Sequence, residues 1–159
     1  MALEKVTQLS QTKPWYGEIP VYYLYTFGIA GERFFREIKD NAKIFGAKCA
    51  KCNLTYVPPK MYCERCFEAL EEWIEVGNKG VVHTYTVAHV DLDGSRLEEP
   101  VILALVTLDG AHGGLVHRLG EIKAEEVKIG MEVEAVFKEK AERTGSILDI
   151  KYFKPRQNK

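Results

Sequence analysis

Cys49-Ala50-Lys51-Cys52, a ten-residue spacer and Cys63-Glu64-Arg65-Cys66 form the stretch around which the rest of the chain is arranged. All four cysteines of the 159-residue chain fall within these eighteen positions. Two Cys-x-x-Cys pairs present four thiolates on two tight turns, which is how a chain wraps a tetrahedral metal ion. The spacer holds Tyr56-Val57-Pro58-Pro59, a β-like run ended by prolines, and is long enough for a short hairpin between the turns. Asn53 follows the first pair, at a place where the backbone often needs positive φ, and Asn tolerates that conformation. Phe67 holds the equivalent place after Cys66 and suits it poorly, so the second turn is expected to differ in shape.

Three readings of these cysteines compete. A structural zinc ribbon, with Zn2+ held by Cys49, Cys52, Cys63 and Cys66, fits the spacing best. Iron in the same four-thiolate cage is the second reading, because tetrahedral sulfur suits both metals. Two disulfides, or a redox pair, are the third. Met1-Ala2-Leu3-Glu4-Lys5 begins no signal peptide, so the expected compartment is a reducing cytoplasm, which disfavours disulfides. Four protein ligands also close the coordination sphere and leave no position for a substrate. An eighteen-residue ribbon has almost no core of its own. Metal binding would therefore supply much of its folding energy, on the order of 10 kcal/mol.

Away from the cysteines, composition narrows the class. Hydrophobic content of 46% with 28% charged residues is that of an ordinary globular chain of one domain or two small ones. A net charge of −1 offers no global attraction for phosphate backbones. No apolar run approaches the roughly twenty residues of a membrane helix.

Residues 1–46 form an aromatic-rich segment. Trp15, Tyr16, Tyr22, Tyr23, Tyr25, Phe27, Phe34 and Phe35 are eight of the chain's seventeen aromatics, too dense for a solvated linker. From Glu32 to Phe45 the spacing predicts a helix, with Phe34, Ile38, Ala42 and Phe45 on one stripe and Gly46 as its stop. Residues 20–30 suit either a helix opened by Pro20 or a strand through Val21-Tyr22-Tyr23. The stripe packs on the protein's own ribbon or barrel, or docks on a partner, since Tyr and Trp are enriched where proteins meet.

The ribbon is expected over 47–70 and a barrel over 71–159. Trp73–Val76 leads out of the ribbon and Gly77-Asn78-Lys79-Gly80 makes a bend. Val81–Val90 alternates as a long strand, Asp93-Gly94 turns, and Pro100 opens the apolar run Val101–Val106. Gly113–Leu119 is a third strand, Ala124–Ile129 a short helix ended by Gly130, Met131–Phe137 a fourth strand and Ile147–Phe153 a fifth. Pro155 and a basic tail of Lys154, Arg156 and Lys159 follow. Five strands with one helix between the third and fourth is the layout of an OB-fold. The predicted fold is thus mainly β: an N-terminal helical segment, a rubredoxin-like zinc ribbon and a five-stranded OB-fold barrel.

The order of these parts resembles the two-domain zinc-ribbon/OB-fold proteins associated with acyl-CoA enzymes, long catalogued as a domain of unknown function. The matching stations begin with a helix running into Phe45-Gly46-Ala47-Lys48-Cys49, followed by Cys52, Val57-Pro58-Pro59, Cys63 and Cys66. They continue through Trp73, Gly77-x-x-Gly80, Tyr85-Thr86-Val87, Pro100 and Ala104-Leu105-Val106-x-Leu108-Asp109-Gly110. Ile129-Gly130-Met131 and Phe153-Lys154-Pro155 complete the set, spanning residues 31 to 155. One departure is the glycine-rich His112-Gly113-Gly114, where relatives carry a more compact segment. The resemblance implies a non-catalytic scaffold. In archaea such proteins are encoded beside acetoacetyl-CoA thiolase and hydroxymethylglutaryl-CoA synthase and bridge the two for mevalonate synthesis. Elsewhere relatives accompany acyltransferases or hydratases acting on CoA thioesters. The implied partners are therefore thiolase-type and synthase-type enzymes, with an acyl-CoA held or passed between them.

No Gly-x-Ser-x-Gly elbow, Walker loop or Rossmann glycine pattern is present, so a stand-alone enzyme is not expected. His83 and His89 are placed on the same strand face as Tyr85, as solvent-facing or hydrogen-bonded residues rather than acid–base groups. Asp91-x-Asp93-Gly94 lacks the further ligands of a calcium loop and reads as a hairpin tip, and Glu125-Glu126 as a solvated face. His117 and Arg118 lie on the third strand, which borders the binding face of OB barrels, where an arginine can pair with CoA phosphates; neither residue is assigned to a site. The alternative function is a nucleic-acid-binding OB-fold with a structural ribbon, disfavoured by the neutral charge.

Overall fold

The computed structural model describes residues 22–156, together with Gln8, Ser10 and Gly17. Trp15, Tyr16, Pro20 and Val21 of the aromatic segment and Lys159 of the tail lie outside the described residues. In the described part, residues 22–27 form neither a helix nor a strand; α1 spans Gly28–Asn41, and the Thr26 hydroxyl accepts the Gly28 amide at 3.0 Å at its start. Ala30, Phe34 and Ile38 form its buried stripe. The helix ends earlier than Gly46. Ala42 turns left-handed at φ 53, and its amide reaches Ile38 O at 3.1 Å. A non-glycine residue pays about 1–2 kcal/mol for that conformation. The compensation comes from far along the chain: the Arg143 guanidinium donates to Ile38 O at 3.3 Å and to Lys39 O at 2.8 Å. Ile38 O is thus shared with the Ala42 amide, while Lys39 O lies in the last turn, whose carbonyls a helix does not satisfy itself. Phe45 and Gly46, released from the helix, begin the first strand.

The ribbon sheet is built from β1 (Phe45–Cys49), β2 (Leu54–Val57) and β3 (Glu72–Glu75), with β1 central and antiparallel to both neighbours. Its fourth strand is β6 (His112–Gly113), which pairs parallel with β2. The barrel sheet runs β7-β5-β4-β8-β9, with β4 Lys79–Val90, β5 Arg96–Leu108, β7 Leu115–Arg118, β8 Glu132–Phe137 and β9 Ile150–Pro155. A parallel bridge between Leu119 and Phe153 joins its two edges, with the Gly120 amide on Phe153 O at 2.9 Å. One N-terminal helix, a four-cysteine ribbon and a five-stranded OB barrel are therefore the observed architecture.

Three further elements differ from expectation. The third barrel strand is split: His112-Gly113 belongs to the ribbon sheet and Leu115–Arg118 to the barrel, so the glycine pair is where the chain crosses between sheets. Glycine is required there. Gly113 has φ +97, and a Cβ would lie 2.6 Å from Val57 O; at Gly114 it would lie 2.8 Å from Val106 O. The helix expected over Ala124–Ile129 is a single 3-10 turn, Ala124–Glu126. Val127 is buried in the barrel and the Gly130 amide is claimed by Val82 O at 2.7 Å, so the backbone bonds that would extend a helix go to β4. Ile147–Asp149 is likewise a 3-10 turn and the last strand begins at Ile150.

One core joins the parts. Phe34, Ile38, Ile44 and Val57 from the helix and ribbon side share a buried cluster with Val82, Val106, Leu108, Leu115, Val133, Ile150 and Phe153 of the barrel. Over the ribbon, Arg33 stacks on Trp73 at 4.7 Å, and Lys43 pairs with Glu75 at 2.7 Å. A second, small cluster of Ala47, Cys49, Tyr56, Cys63 and Leu70 surrounds the cysteines.

Candidate metal centre

Cys49 closes β1 and Leu54 opens β2 directly opposite it, so Cys49–Cys52 sits on the tip of a hairpin. Asn53 takes the expected left-handed conformation at φ 52. Phe67 takes it too, at φ 58, so the second turn repeats the first and the expectation of a different shape is corrected. Its bulk is no obstacle because the ring projects into solvent, 79% exposed. The turn is held by the Phe67 amide on Cys63 O at 3.0 Å and the Cys63 amide on Glu68 O at 2.9 Å.

The two turns bring the four sulfurs within 4.8 Å of one another, with Cys49 Sγ and Cys66 Sγ at 3.5 Å. Metal–sulfur bonds of about 2.3 Å in a tetrahedron separate the sulfurs by roughly 3.8 Å, so the donor set fits such an ion. All four are free thiols, so the disulfide reading is not the observed state. Cys49 and Cys63 are buried, and Cys52 and Cys66 half-buried. Their acidities diverge. A hydrogen bond from Tyr56, the largest influence, brings Cys63 down to about 6 despite burial. Cys52 is pushed up to about 12 by its hydrogen bond with Cys66 and by burial. The Cys52 amide, 3.4 Å from Cys49 Sγ, favours the Cys49 thiolate, but burial and the neighbouring thiols outweigh it and raise that group. Four thiolates this close repel one another unless a cation lies between them. The four cysteines are thus positioned to bind a metal.

The remaining candidates separate. Register shifts in β4 between Val82 and Thr84 and between Ala88 and Val90 lift His83 and His89 out of the ladder. Both are solvent-exposed, as expected. Asp91 and Asp93 are turn acceptors, taking the Leu92 amide at 2.7 Å and the Ser95 amide at 2.8 Å. Glu126 accepts the Lys123 amide at 3.2 Å, and Glu125 is exposed. His117 points into the barrel, 6% exposed, where Nε2 donates to Ile147 O at 3.2 Å and burial lowers its basicity. Arg118 is on the outer face of the same strand. Sequence reasoning missed Arg143, whose bonds reach Ile38 and Lys39 far along the chain, and Asp149, which gathers the amides of its own loop, and saw Tyr56 only as a β-former.

Two surfaces surround this frame. An apolar groove of about 390 Å3 lies where helix, ribbon and barrel meet, lined by Phe34, Phe35, Pro58, Pro59, Leu115 and Val116, among others. Ahead of α1, Tyr22, Leu24, Tyr25 and Phe27 are exposed, as is Ile29 in its first turn. Among the described residues no helix is long and apolar enough to cross a membrane.

A four-thiolate ribbon joined to a five-stranded barrel defines the class of two-domain zinc-ribbon/OB-fold proteins. The family model for the ChsH2 rubredoxin-like zinc ribbon domain matches residues 36–71, and that for the ChsH2 C-terminal OB-fold domain matches residues 73–138. A DUF35 domain-containing scaffold protein of Methanocaldococcus jannaschii is 34% identical over 130 residues, 79% of this chain and 91% of that one. Its counterpart in Methanothermobacter thermautotrophicus is 30% identical over 130 residues, 78% and 95% of the two chains. A DUF35-family protein of unknown function from Sulfolobus solfataricus superposes with a TM-score of 0.64 at 30% identity, covering 81% of this chain and 87% of that one. A chain of the Ltp2-ChsH2(DUF35) aldolase superposes with a TM-score of 0.63 at 25% identity, covering 83% and 98%. The chain belongs to the DUF35 family.

Proposed function

We propose that this protein is a non-catalytic, zinc-stabilised scaffold of the cytoplasm that holds acyl-CoA enzymes together. Its partners in this reading are a thiolase of the acetoacetyl-CoA type and a hydroxymethylglutaryl-CoA synthase, between which it helps pass an acyl-CoA intermediate toward mevalonate. The observation that carries the reading is the apolar run Tyr22–Ile29. Leu24 is fully exposed, Tyr22 is 92% exposed and Tyr25 83% exposed. Aromatic and aliphatic surface of this density is a feature of protein interfaces. The scaffold names of the archaeal relatives support it, as does the naming of a structural neighbour as an Ltp2-ChsH2(DUF35) aldolase. Zinc is the metal of this reading, held by Cys49, Cys52, Cys63 and Cys66, where it would lock the helix side of the ribbon to the barrel. The basic tail gives no support to nucleic-acid binding: Lys154 lies 3.8 Å from Glu134 and Arg156 3.3 Å from Glu132, so both charges are matched within the protein.

The test is affinity capture of the protein from its native source, with partners identified by mass spectrometry, in parallel with the double variant Leu24→Asp, Tyr25→Ser. Co-purification of a thiolase and a synthase with the wild type, and their loss with the variant, is the expected result. Capture of neither enzyme refutes the partner assignment, and undiminished capture by the variant refutes the role of the apolar run.

A further inference from the structure

Tyr56 stands between the proposed metal and the crossing between ribbon and barrel. It occupies β2, paired with Ala47 of β1 on one side and His112 of β6 on the other, and is 1% exposed. Its hydroxyl lies 3.3 Å from Cys63 Sγ. A buried phenol needs a hydrogen-bond partner. A metal-bound thiolate carries no proton, so the phenol is the donor and the sulfur the acceptor. The ring is itself positioned: His112 meets it edge-on at 5.3 Å and 87°, and Lys60 Nζ lies 5.4 Å from its centroid. His112 belongs to the segment that crosses from ribbon to barrel, so the ring links that crossing to the ligand.

We infer that Tyr56 is a positioning residue of the metal centre, whose O–H···S bond orients Cys63 and withdraws charge from it, slowing metal release. This rests on the four cysteines holding a metal. Hydrogen bonds of this outer kind orient ligands and tune the ion, and their removal costs about 10–100-fold in metal affinity. Tyr56→Phe deletes one oxygen and keeps the ring, which leaves the contacts to His112 and Lys60 in place.

The experiment uses the full chain loaded with Co2+, comparing wild type, Tyr56→Phe and Tyr62→Phe, an exposed tyrosine of the same spacer. Sulfur-to-cobalt charge-transfer absorption and the rate of cobalt release to a chelator are recorded. Tyr56→Phe is expected to shift the charge-transfer band to lower energy and to speed release about tenfold or more, while Tyr62→Phe matches wild type. A purely packing role for the ring would leave the band in place. An unchanged band with an unchanged release rate overturns the inference. A wild-type chain that takes up no cobalt instead overturns the metal reading beneath it. A second measurement needs no variant: in 113Cd-loaded wild type, the Tyr56 hydroxyl proton should resist exchange and couple to cadmium through Cys63 Sγ. Its absence from that spectrum also counts against the bond.

Discussion

Replacing Asp149 by Asn tests how the barrel holds the helix in place. Asp149 is fully buried and accepts the Thr144 amide at 3.0 and 3.1 Å, the Gly145 amide at 2.7 Å and the Ser146 amide at 3.2 Å. Burial works against its charge, but the three amides outweigh it and hold the carboxyl below its usual range. Asn can turn its oxygen toward Gly145 and Ser146, yet then presents its NH2 group to Thr144, a donor facing a donor. Hydrogen bonds to a charged acceptor contribute about 1 kcal/mol more than neutral ones, so three of them predict a loss of about 3 kcal/mol. The loop they fold carries Arg143, whose bonds to Ile38 O and Lys39 O finish α1, so amide exchange at Ala42 and Lys43 should rise as well. Because the folded-state pKa is depressed, this stabilisation is complete above the unfolded carboxylate value, near 4. It is lost as pH falls through the folded value. Urea unfolding followed by circular dichroism from pH 7 down to pH 3 measures both effects. Wild type should lose stability along this acid limb more steeply than Asp149→Asn. A variant within about 0.5 kcal/mol of wild type at pH 7, with the same acid limb, would refute the reasoning, since that is the scatter of an ordinary surface change.

Cys63→Ser removes one of four ligands and should lower bound metal to a small fraction of one equivalent by elemental analysis. The ribbon, which depends on metal for on the order of 10 kcal/mol, should then become protease-sensitive while the barrel keeps its β-type circular dichroism. Retention of a full equivalent would show that this cysteine is not a ligand. Gly113→Val forces a β-branched residue to φ +97 with its Cβ 2.6 Å from Val57 O. A cost of at least about 2 kcal/mol is expected, read as a fall in Tm of about 5 °C or more. An unchanged Tm would mean that the crossing tolerates side chains and is not pinned to β2.

The two Cys-x-x-Cys pairs, the hairpin between them and the left-handed place after Cys52 were legible because each is a local constraint: thiols at fixed spacing, and a residue that tolerates positive φ. Three of the five barrel strands announced themselves by alternation or by an unbroken apolar run, since a half-buried strand writes its two faces into neighbouring positions. Where α1 stops was not legible. Phe45 and Ala42 continue the 3.6-residue stripe, but the carbonyls of the last turn are taken by Arg143, about a hundred residues away. The split of the third strand was equally hidden. Gly113-Gly114 reads as a weak strand in isolation, and only the approach of Val57 O and Val106 O shows that the chain changes sheets there. At the centre itself, the ligands are a matter of spacing along the chain. The donor that meets Cys63, the ring that steadies that donor and the repulsion among four thiols exist only once distant strands have paired. Spacing is a property of consecutive residues and survives in the sequence. A hydrogen bond between β2 and the second turn, or between a barrel loop and a helix end, depends on where the fold places two segments, and no local pattern encodes that.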